Sequence, residues 1–381
     1  MVGLLAGLLA GTTAVAATLD AAVSADTAAS TSTAASLLPP GISLWNTSLE
    51  VRGAAGYKDN VFLSHLGAID SAFWLTDLDF FAFRLPVDGT EVTFLFSGED
   101  RRFLTMPQPH KEQTFLADAA VKKDYGNGWH TGMELEYSYV DEVFDVSATG
   151  IELGPIPVRG QGLALRPSVR RDLGDSVDAE LEFDLERQYF SSPLDDYWNG
   201  GPKLTLRRSY GTRSEVALSY EVTRLYYDTR LQTTQEGVLL PGTGLAFEIQ
   251  RIELDWRHHW DAERRFRTVL KLGAELNRDN GGGYFDFKRY YASEEFRVRW
   301  AGWELRLEGG LNFYDFYSQP LSLTDLSNRS KFGVMANCRL EKHLTQKLSW
   351  FAQYEHEHWL ANLDLDKFRV NTVFSGLGFE F

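Results

Sequence analysis

The chain has 381 residues, and its composition excludes several classes of protein. Its formal net charge of −15 argues against a nucleic-acid partner, because binding to phosphates needs a basic surface. Its one cysteine, Cys338, rules out an intramolecular disulfide and leaves no cysteine cluster for a metal. Beyond the N-terminal segment the sequence has no run of about 18 apolar residues, which argues against transmembrane helices.

The first forty residues have the composition of processing and linker sequence. Residues 1–17 are typical of a signal peptide, with an apolar core at Leu4–Ala10 and small residues at Ala14–Ala16. No lysine or arginine precedes Arg52, so the usual basic start is missing, and the alternative is an alanine-rich leader of a soluble protein. Residues 18–40 are rich in Ala, Ser and Thr, which predicts a disordered periplasmic leader.

From residue 41 to residue 381 one pattern repeats and predicts an outer-membrane β-barrel domain. Segments of about 10 to 16 residues alternate apolar with polar side chains, as strands of a transmembrane barrel do. Tight breaks, most of which contain Gly, Asn or Asp, alternate with longer ones. The tight breaks lie at 86–89, 126–128, 172–175, 210–212, 261–263, 301–302 and 344–346, and the long ones near 58–70, 99–112, 144–157, 190–199, 229–244, 278–283, 317–328 and 361–366.

These breaks predict the fold class, the strand number and the orientation of the chain. The fold is expected to be all-β, a transmembrane up-and-down antiparallel barrel of about sixteen strands, with fourteen or eighteen as alternatives. The tight breaks would be periplasmic turns and the long ones extracellular loops. Aromatic residues make up 13% of the chain, which suits the aromatic girdles at the two membrane interfaces.

One strand shows the two expected faces most clearly. In the segment 177–186, Leu181 and Phe183 belong to an apolar face that alternates with five acidic residues. These acids would repel one another unless neighbouring strands supply positive charge. The candidates for that charge are Arg166, Arg170, Arg171, Lys203, Arg207 and Arg208.

The C-terminus resembles the signal that the bacterial barrel-assembly machinery reads. Its usual form is polar-x-Gly-x-x-hydrophobic-x-aromatic. Gly376, Phe379 and Phe381 fit this form, while Phe374 stands where a polar residue is expected. The resemblance implies assembly into the outer membrane by that machinery.

A second resemblance lies near the start of the predicted barrel. The run Gly56-Tyr57-Lys58-Asp59-Asn60-Val61 resembles the opening of a β-barrel porin family of Gram-negative bacteria, in which such a run closes the first strand. Most members are uncharacterised, so the resemblance implies a fold more than a substrate. In physical terms, Asp59 and Asn60 are expected to cap the strand through an Asx-turn.

The sequence gives little support for a metal site or a catalytic site. His356 and His358 would share one face of a strand, with Glu355 and Glu357 on the other, so two ligands at most would meet a metal. Near Trp359 they are better read as residues of the membrane interface. The sequence lacks a Gly-x-Ser-x-Gly elbow, a His-Glu-x-x-His helix and a phosphate loop. We therefore expect neither an enzyme nor a cofactor.

The predicted barrel is wide enough to have an aqueous lumen, which favours a porin-like channel in the outer membrane. Such a channel would pass small hydrophilic solutes or ions by diffusion, with a bias toward cations from its acidic residues. The alternative is a non-conducting barrel for structure, adhesion or export, and an outer-membrane hydrolase is a further one. Expected partners are outer-membrane lipid and a second copy of the chain. The candidate pore-lining residues are Asp178, Glu180, Glu182, Asp184, Glu186, Arg207, Arg257, Arg297, Arg299, Glu304, Arg306 and Glu308.

Overall fold

The computed structural model describes residues 43–65, 67–106, 109–145, 155–191, 193–211, 213–321 and 325–381. The predicted signal peptide at 1–17 and leader at 18–40 lie outside these residues. Within them the chain forms sixteen β-strands and a short 3₁₀ helix, Asp364–Asp366. None of the described helical segments is long and apolar enough to cross a membrane.

The strands are numbered in chain order. They are β1 Trp45–Lys58, β2 Ser71–Arg84, β3 Thr90–Phe103, β4 Lys111–Asp124, β5 Trp129–Asp145, β6 Pro155–Asp172, β7 Val177–Phe190, β8 Tyr197–Tyr210, β9 Ser214–Tyr227, β10 Ala246–His259, β11 Phe266–Asp279, β12 Phe287–Trp300, β13 Trp303–Pro320, β14 Asn328–His343, β15 Leu348–Ala361 and β16 Phe368–Glu380.

Every strand pairs antiparallel with its two neighbours in sequence, and β1 pairs with β16, so the sheet closes into a barrel. At this closure Gly53 of β1 lies opposite Leu377 of β16. Closure leaves no unpaired strand edge, which is the condition for a sheet to cross hydrocarbon. The prediction of an all-β up-and-down barrel with sixteen strands is confirmed.

Short and long connections alternate around the barrel, and each lies where the sequence predicts it. We call the two rims the short-turn end and the long-loop end. The turn between β2 and β3 places Gly89 at φ +72°, a conformation that favours glycine. The predicted long breaks were too wide in places: 99–112 shrinks to 104–110, because β3 continues to Phe103 and β4 begins at Lys111.

The outer surface of the barrel is apolar and is bounded by aromatic residues at both rims. Side chains such as Leu204 on β8 and Phe183 on β7 are exposed near the middle of their strands. The aromatic side chains exposed near the rims are Trp45, Trp129, Trp260 and Trp300 at the short-turn end and Tyr57, Trp74, Tyr189, Trp198, Tyr226 and Tyr290 at the long-loop end. An apolar belt between two aromatic girdles is the surface that a lipid bilayer requires.

Candidate functional site in the barrel lumen

Contacts between strands that are not neighbours identify the inner face of the barrel. The Lys58 amine on β1 lies 2.7 Å from the Glu112 carboxylate on β4. The Arg101 guanidinium on β3 lies 3.9 Å from the Glu355 carboxylate on β15. Such contacts can only cross the interior, and strict alternation then assigns the inward residues of every strand.

The five acids predicted on β7 all lie on this inner face, while Leu181 and Phe183 are exposed outside. Two inward arginines lie among the acids. Arg166 on β6 contacts Asp184 at 2.9 Å and two further carboxylates on β5, Glu134 and Glu136. A single guanidinium therefore lies among three carboxylates at this point of the wall.

The second arginine of this acidic wall is Arg207 on β8. It lies 3.2 Å from Asp178, 3.3 Å from Glu180 and 3.5 Å from Glu215, so it too is shared by three carboxylates. Arg170 and Lys203 also face inward, opposite Glu180 and Glu182 in the strand register. The acids in this region therefore outnumber the cations beside them.

Arg171 and Arg208 do not join this cluster, contrary to the expectation that they offset the acids of β7. Alternation places both on the outer face at the short-turn end. There the Arg171 guanidinium lies 4.9 Å from the ring centre of Trp129, a cation–π contact. Their charge serves the membrane interface rather than the lumen.

Further around the wall, on β11 to β14, a row of four arginines lies at the same register on four consecutive strands. Arg267 on β11 lies opposite Arg297 on β12, which lies opposite Arg306 on β13, which lies opposite Arg339 on β14. The side chains of Arg267, Arg297 and Arg306 are each less than a tenth exposed. We call this set the arginine row.

The arginine row forms ion pairs with carboxylates at the neighbouring inward positions of the same strands. Glu304 lies 2.6 Å from Arg297, 2.7 Å from Arg299 and 3.7 Å from Arg306, so one carboxylate serves three guanidinium groups. Glu341 pairs with Arg339 at 3.0 Å, and Glu295 pairs with Arg267. This arrangement is the inverse of the β7 wall, where one arginine serves three acids.

All twelve residues predicted to line a pore lie on the inner face, and the acidic cluster on β6–β9 and the arginine cluster on β11–β14 contain most of them. Arg257 lies opposite Glu215 in the register, and Glu308 accepts a hydrogen bond from Asn337 at 3.3 Å. Their role in permeation stays a prediction. Sequence reasoning missed Arg267 and Arg339, because their place in the row follows from the register of four strands.

A hairpin made by the ends of β5 and β6 enters the lumen at the long-loop end. These strands have 17 and 18 residues, against 14 in each of their outer neighbours, β4 and β7. Phe144 and Val158 of the hairpin are buried in one apolar cluster with Tyr197, Leu225 and Phe247, which belong to the inner faces of β8, β9 and β10. One side of the hairpin therefore packs against this wall.

The other side of the hairpin reaches the opposite wall. Val143 is buried against Phe368 and Val370 of β16 and against Leu63 of the first loop, and Asp145 pairs with Lys331. The hairpin thus crosses the lumen. The prediction that 144–157 forms an extracellular loop is wrong for the described flanks of this segment, because their apolar residues are buried inside the barrel. Residues 146–154 lie outside the described part.

Aromatic side chains narrow the lumen further toward the long-loop end. Phe73, Phe103 and Phe374 face inward and form part of a second apolar cluster, and Phe287, Tyr314 and Phe316 form another. The acidic cluster and the arginine row therefore lie nearer the short-turn end, and these apolar clusters around the hairpin lie at the long-loop end.

The residues of the predicted assembly signal form the end of the closing strand. The Phe379 and Phe381 rings contact each other with centroids 4.8 Å apart, and Phe379 is exposed on the outer face. Gly376 faces inward, where an added Cβ would lie 2.1 Å from the Gly53 carbonyl oxygen. Phe374 departs from the polar pattern because it packs inside the barrel against Phe73 and Phe351.

Asp59 and Asn60 join the first strand to the last rather than forming the expected Asx-turn. Asp59 accepts hydrogen bonds from the backbone N–H and the side-chain amide of Asn371 on β16. The Asn60 side chain donates to the Arg369 carbonyl at 2.9 Å and bonds to the backbone of Ser64. The motif that resembles the porin family is therefore part of the seam between β1 and β16.

The histidine pair has the geometry that alternation predicts. His356 and His358 face outward on β15, whereas Glu355 and Glu357 face the lumen. In the described part of the chain, no three side chains of His, Cys, Asp or Glu are placed to hold a metal ion.

No family model and no curated protein sequence matches the chain. Among solved structures, CdiB from Escherichia coli is similar with a TM-score of 0.50 and 12% identity over 87% of this chain and 63% of that one. OccAB1 from Acinetobacter baumannii gives 0.46 and 8% over 88% and 97%, and OprD from Pseudomonas aeruginosa gives 0.42 and 10% over 88% and 95%. The fold is that of an outer-membrane β-barrel. Its closure and apolar belt are those of proteins that cross the bacterial outer membrane.

Proposed function

We propose that the protein is a porin-like channel through which small hydrophilic solutes or ions diffuse across the outer membrane. The charged inner wall carries this proposal, because side chains such as Glu180 on β7 and Arg297 on β12 face inward. A barrel of sixteen strands is too wide for its own wall residues to fill, so the lower lumen has room for water. Charged walls around water are what a passage for hydrophilic solutes needs.

The two clusters distribute charge unevenly around the wall of the proposed passage. On the β6–β9 side, Arg166 and Arg207 each serve three carboxylates, whereas on the β12–β13 side Glu304 serves three arginines. A solute in the lumen would meet mainly negative charge at β6–β9 and mainly positive charge at β11–β14. We further propose a net preference for cations, supported by the chain's formal charge of −15.

The position of the hairpin determines how much of the lumen is open at the long-loop end. Because Val143, Phe144 and Asp145 contact both walls, conduction at the long-loop end depends on movement of this hairpin or on the space beside it. This occlusion is also the observation that favours the second candidate, a non-conducting barrel with a structural or export role.

Recordings from the purified protein in a planar lipid bilayer test the proposal. We expect discrete current steps, with a reversal potential in a salt gradient that indicates cation preference. Folded, heat-modifiable protein that stays silent, and remains silent after Asp145→Ala frees the hairpin from Lys331, would support the non-conducting barrel instead.

A further inference from the structure

A carboxylate stands in the middle of the lipid-facing belt. Glu294 is the seventh residue of β12 counted from the short-turn end, and it is exposed on the outer face. Tyr290 and Trp300, on the same face of the strand, mark the two membrane interfaces above and below it. Glu294 therefore lies at the depth of the hydrocarbon chains.

The carboxyl group of Glu294 has no polar partner in the part of the barrel that the structure describes. The strand register places Leu270 on one side of Glu294 and Gly309 on the other, and Ala336 follows on β14. None of the residues that the structure describes donates a hydrogen bond to Glu294 or forms an ion pair with it. Lipid chains cannot supply a donor, and an ionisable group in the hydrocarbon region needs a partner.

The surface beside Glu294 is formed by residues with very small side chains, and we call it the low surface. Gly309 has open space where a Cβ would stand, and Ala336 adds only a methyl group. A facing protein surface could approach closely at these two residues on β13 and β14.

The complementary groups lie on the far side of this low surface, on β15. Tyr354 and His356 face outward there, and both contact the Asn371 side-chain oxygen, at 2.7 Å and 2.8 Å. Tyr354 is also the seventh residue from the short-turn end of its strand, at the level of Glu294. The Tyr354 hydroxyl donates its hydrogen to Asn371 and His356 contacts Asn371 through Nδ1, so the His356 Nε2 is the group on β15 that can share a proton with the Glu294 carboxyl.

We propose that β12–β15 forms a two-fold interface with a second copy of this chain. A two-fold axis along the membrane normal, between β13 and β14, brings β12 of each copy opposite β15 of the other. Glu294 of one copy then meets Tyr354 and His356 of the other, twice. The low surface at Gly309 and Ala336 lies at the axis, where the two barrels touch.

Cys338, the one cysteine in the sequence, makes the proposal testable without engineered cysteines. It lies outward on β14, opposite Leu307, and is the sixth residue from the short-turn end of its strand. The proposed axis places the two copies of Cys338 close together. We therefore expect a short membrane-permeant bismaleimide to cross-link the full chain into a dimer in outer membranes.

Substitutions distinguish cross-linking at this interface from cross-linking through chance collision of two barrels. Glu294→Leu should lower the cross-linked yield several-fold, as should Tyr354→Phe combined with His356→Ala. Glu248→Gln should leave the yield unchanged, because Glu248 is an outer-face carboxylate near the rim that already pairs with Arg224 at 3.3 Å. Heat modifiability on gels reports folding of each variant, and Glu294→Gln replaces Glu294→Leu if the latter does not fold.

Three results would overturn the proposal. The first is a monomer that a monofunctional maleimide labels at Cys338 but the bismaleimide does not join. The second is an equal dimer yield in Glu294→Leu and the parent. The third is cross-linking to a different protein, which would identify a partner other than a second copy. If Cys338 resists labelling, a monomeric mass of the protein extracted in mild detergent contradicts the proposal.

Discussion

Asp59 and Asn371 stand 312 residues apart in sequence and are joined by three hydrogen bonds at the long-loop end of the barrel. The Asn371 backbone N–H donates to Asp59 Oδ1 at 2.7 Å, and its side-chain amide donates to Oδ2 at 2.6 Å. The Asp59 N–H in turn donates to the Asn371 carbonyl at 3.1 Å. This pair fastens the seam where the first strand meets the last.

Removing the Asp59 side chain should weaken this seam. Asp59→Ala deletes two charge-assisted hydrogen bonds, so the free energy of unfolding should fall by about 1.5–3 kcal/mol. Urea titration of the barrel in lipid vesicles measures this loss. Asn371→Ala alone and combined with Asp59→Ala completes a double-mutant cycle, and full additivity would show that the two residues do not stabilise each other.

Freeing the hairpin should raise conduction. Asp145→Ala removes the partner of buried Lys331, so the hairpin should leave the opposite wall more often and the time spent open in bilayer recordings should increase. Cysteines introduced as Asp145→Cys and Lys331→Cys, bridged by a short thiol reagent, should have the opposite effect. Asp141→Ala is the control, because Asp141 pairs with Lys111 at 3.2 Å on the outer face.

Charge substitutions on the two walls should shift ion preference in opposite directions. Glu180→Gln with Glu182→Gln should reduce cation preference, because it removes negative charge beside Arg207. Arg297→Gln should increase it. Reversal potentials in a salt gradient measure both effects. If neither potential moves in channels that still conduct, these groups stabilise the wall without selecting ions.

A charge placed in the outer belt should cost more than the same charge one residue away. Leu204 is exposed outside near the middle of β8, so Leu204→Arg should lower the free energy of unfolding by about 2–4 kcal/mol. Thr205 faces the lumen opposite Glu180, so Thr205→Arg should be tolerated much better. Equal losses measured by urea titration would contradict the assignment of faces on this strand.

The C-terminal aromatic pair should matter for assembly. Changing Phe379 and Phe381 to Ser removes an exposed apolar contact at the rim and the resemblance to the assembly signal. The fraction of chain that migrates as folded on unheated gels should fall. Glu380→Ser, between the two, should have little effect, and an unchanged yield in the double variant would show that the ending is incidental.

Local chemistry made the strand number and the faces predictable. Gly89 and Gly126 mark tight turns because they adopt positive φ, and the alternation of Leu181 and Phe183 with acids identifies lipid and lumen. The arginine row was not predictable in the same way. Arg267 and Arg339 are about seventy residues apart, and their alignment depends on the register across each intervening turn.

The hairpin has a sequence pattern of its own that departs from strict alternation. Val143 and Phe144 are consecutive apolar residues, as are Ile156 to Val158 with Pro157, so both faces of these strand ends are apolar. That pattern belongs to a strand buried on both sides, whereas an extracellular loop would be polar. Which walls it would touch depends on the closed barrel and could not be read from the chain.

The hairpin also has a mechanical consequence. Because Phe144 is packed against β8–β10 while Asp145 is held by Lys331 of β14, the hairpin acts as a strut between opposite walls. Strand number sets the diameter of the closed barrel, and the hairpin adds a non-covalent link between two distant walls at the long-loop end.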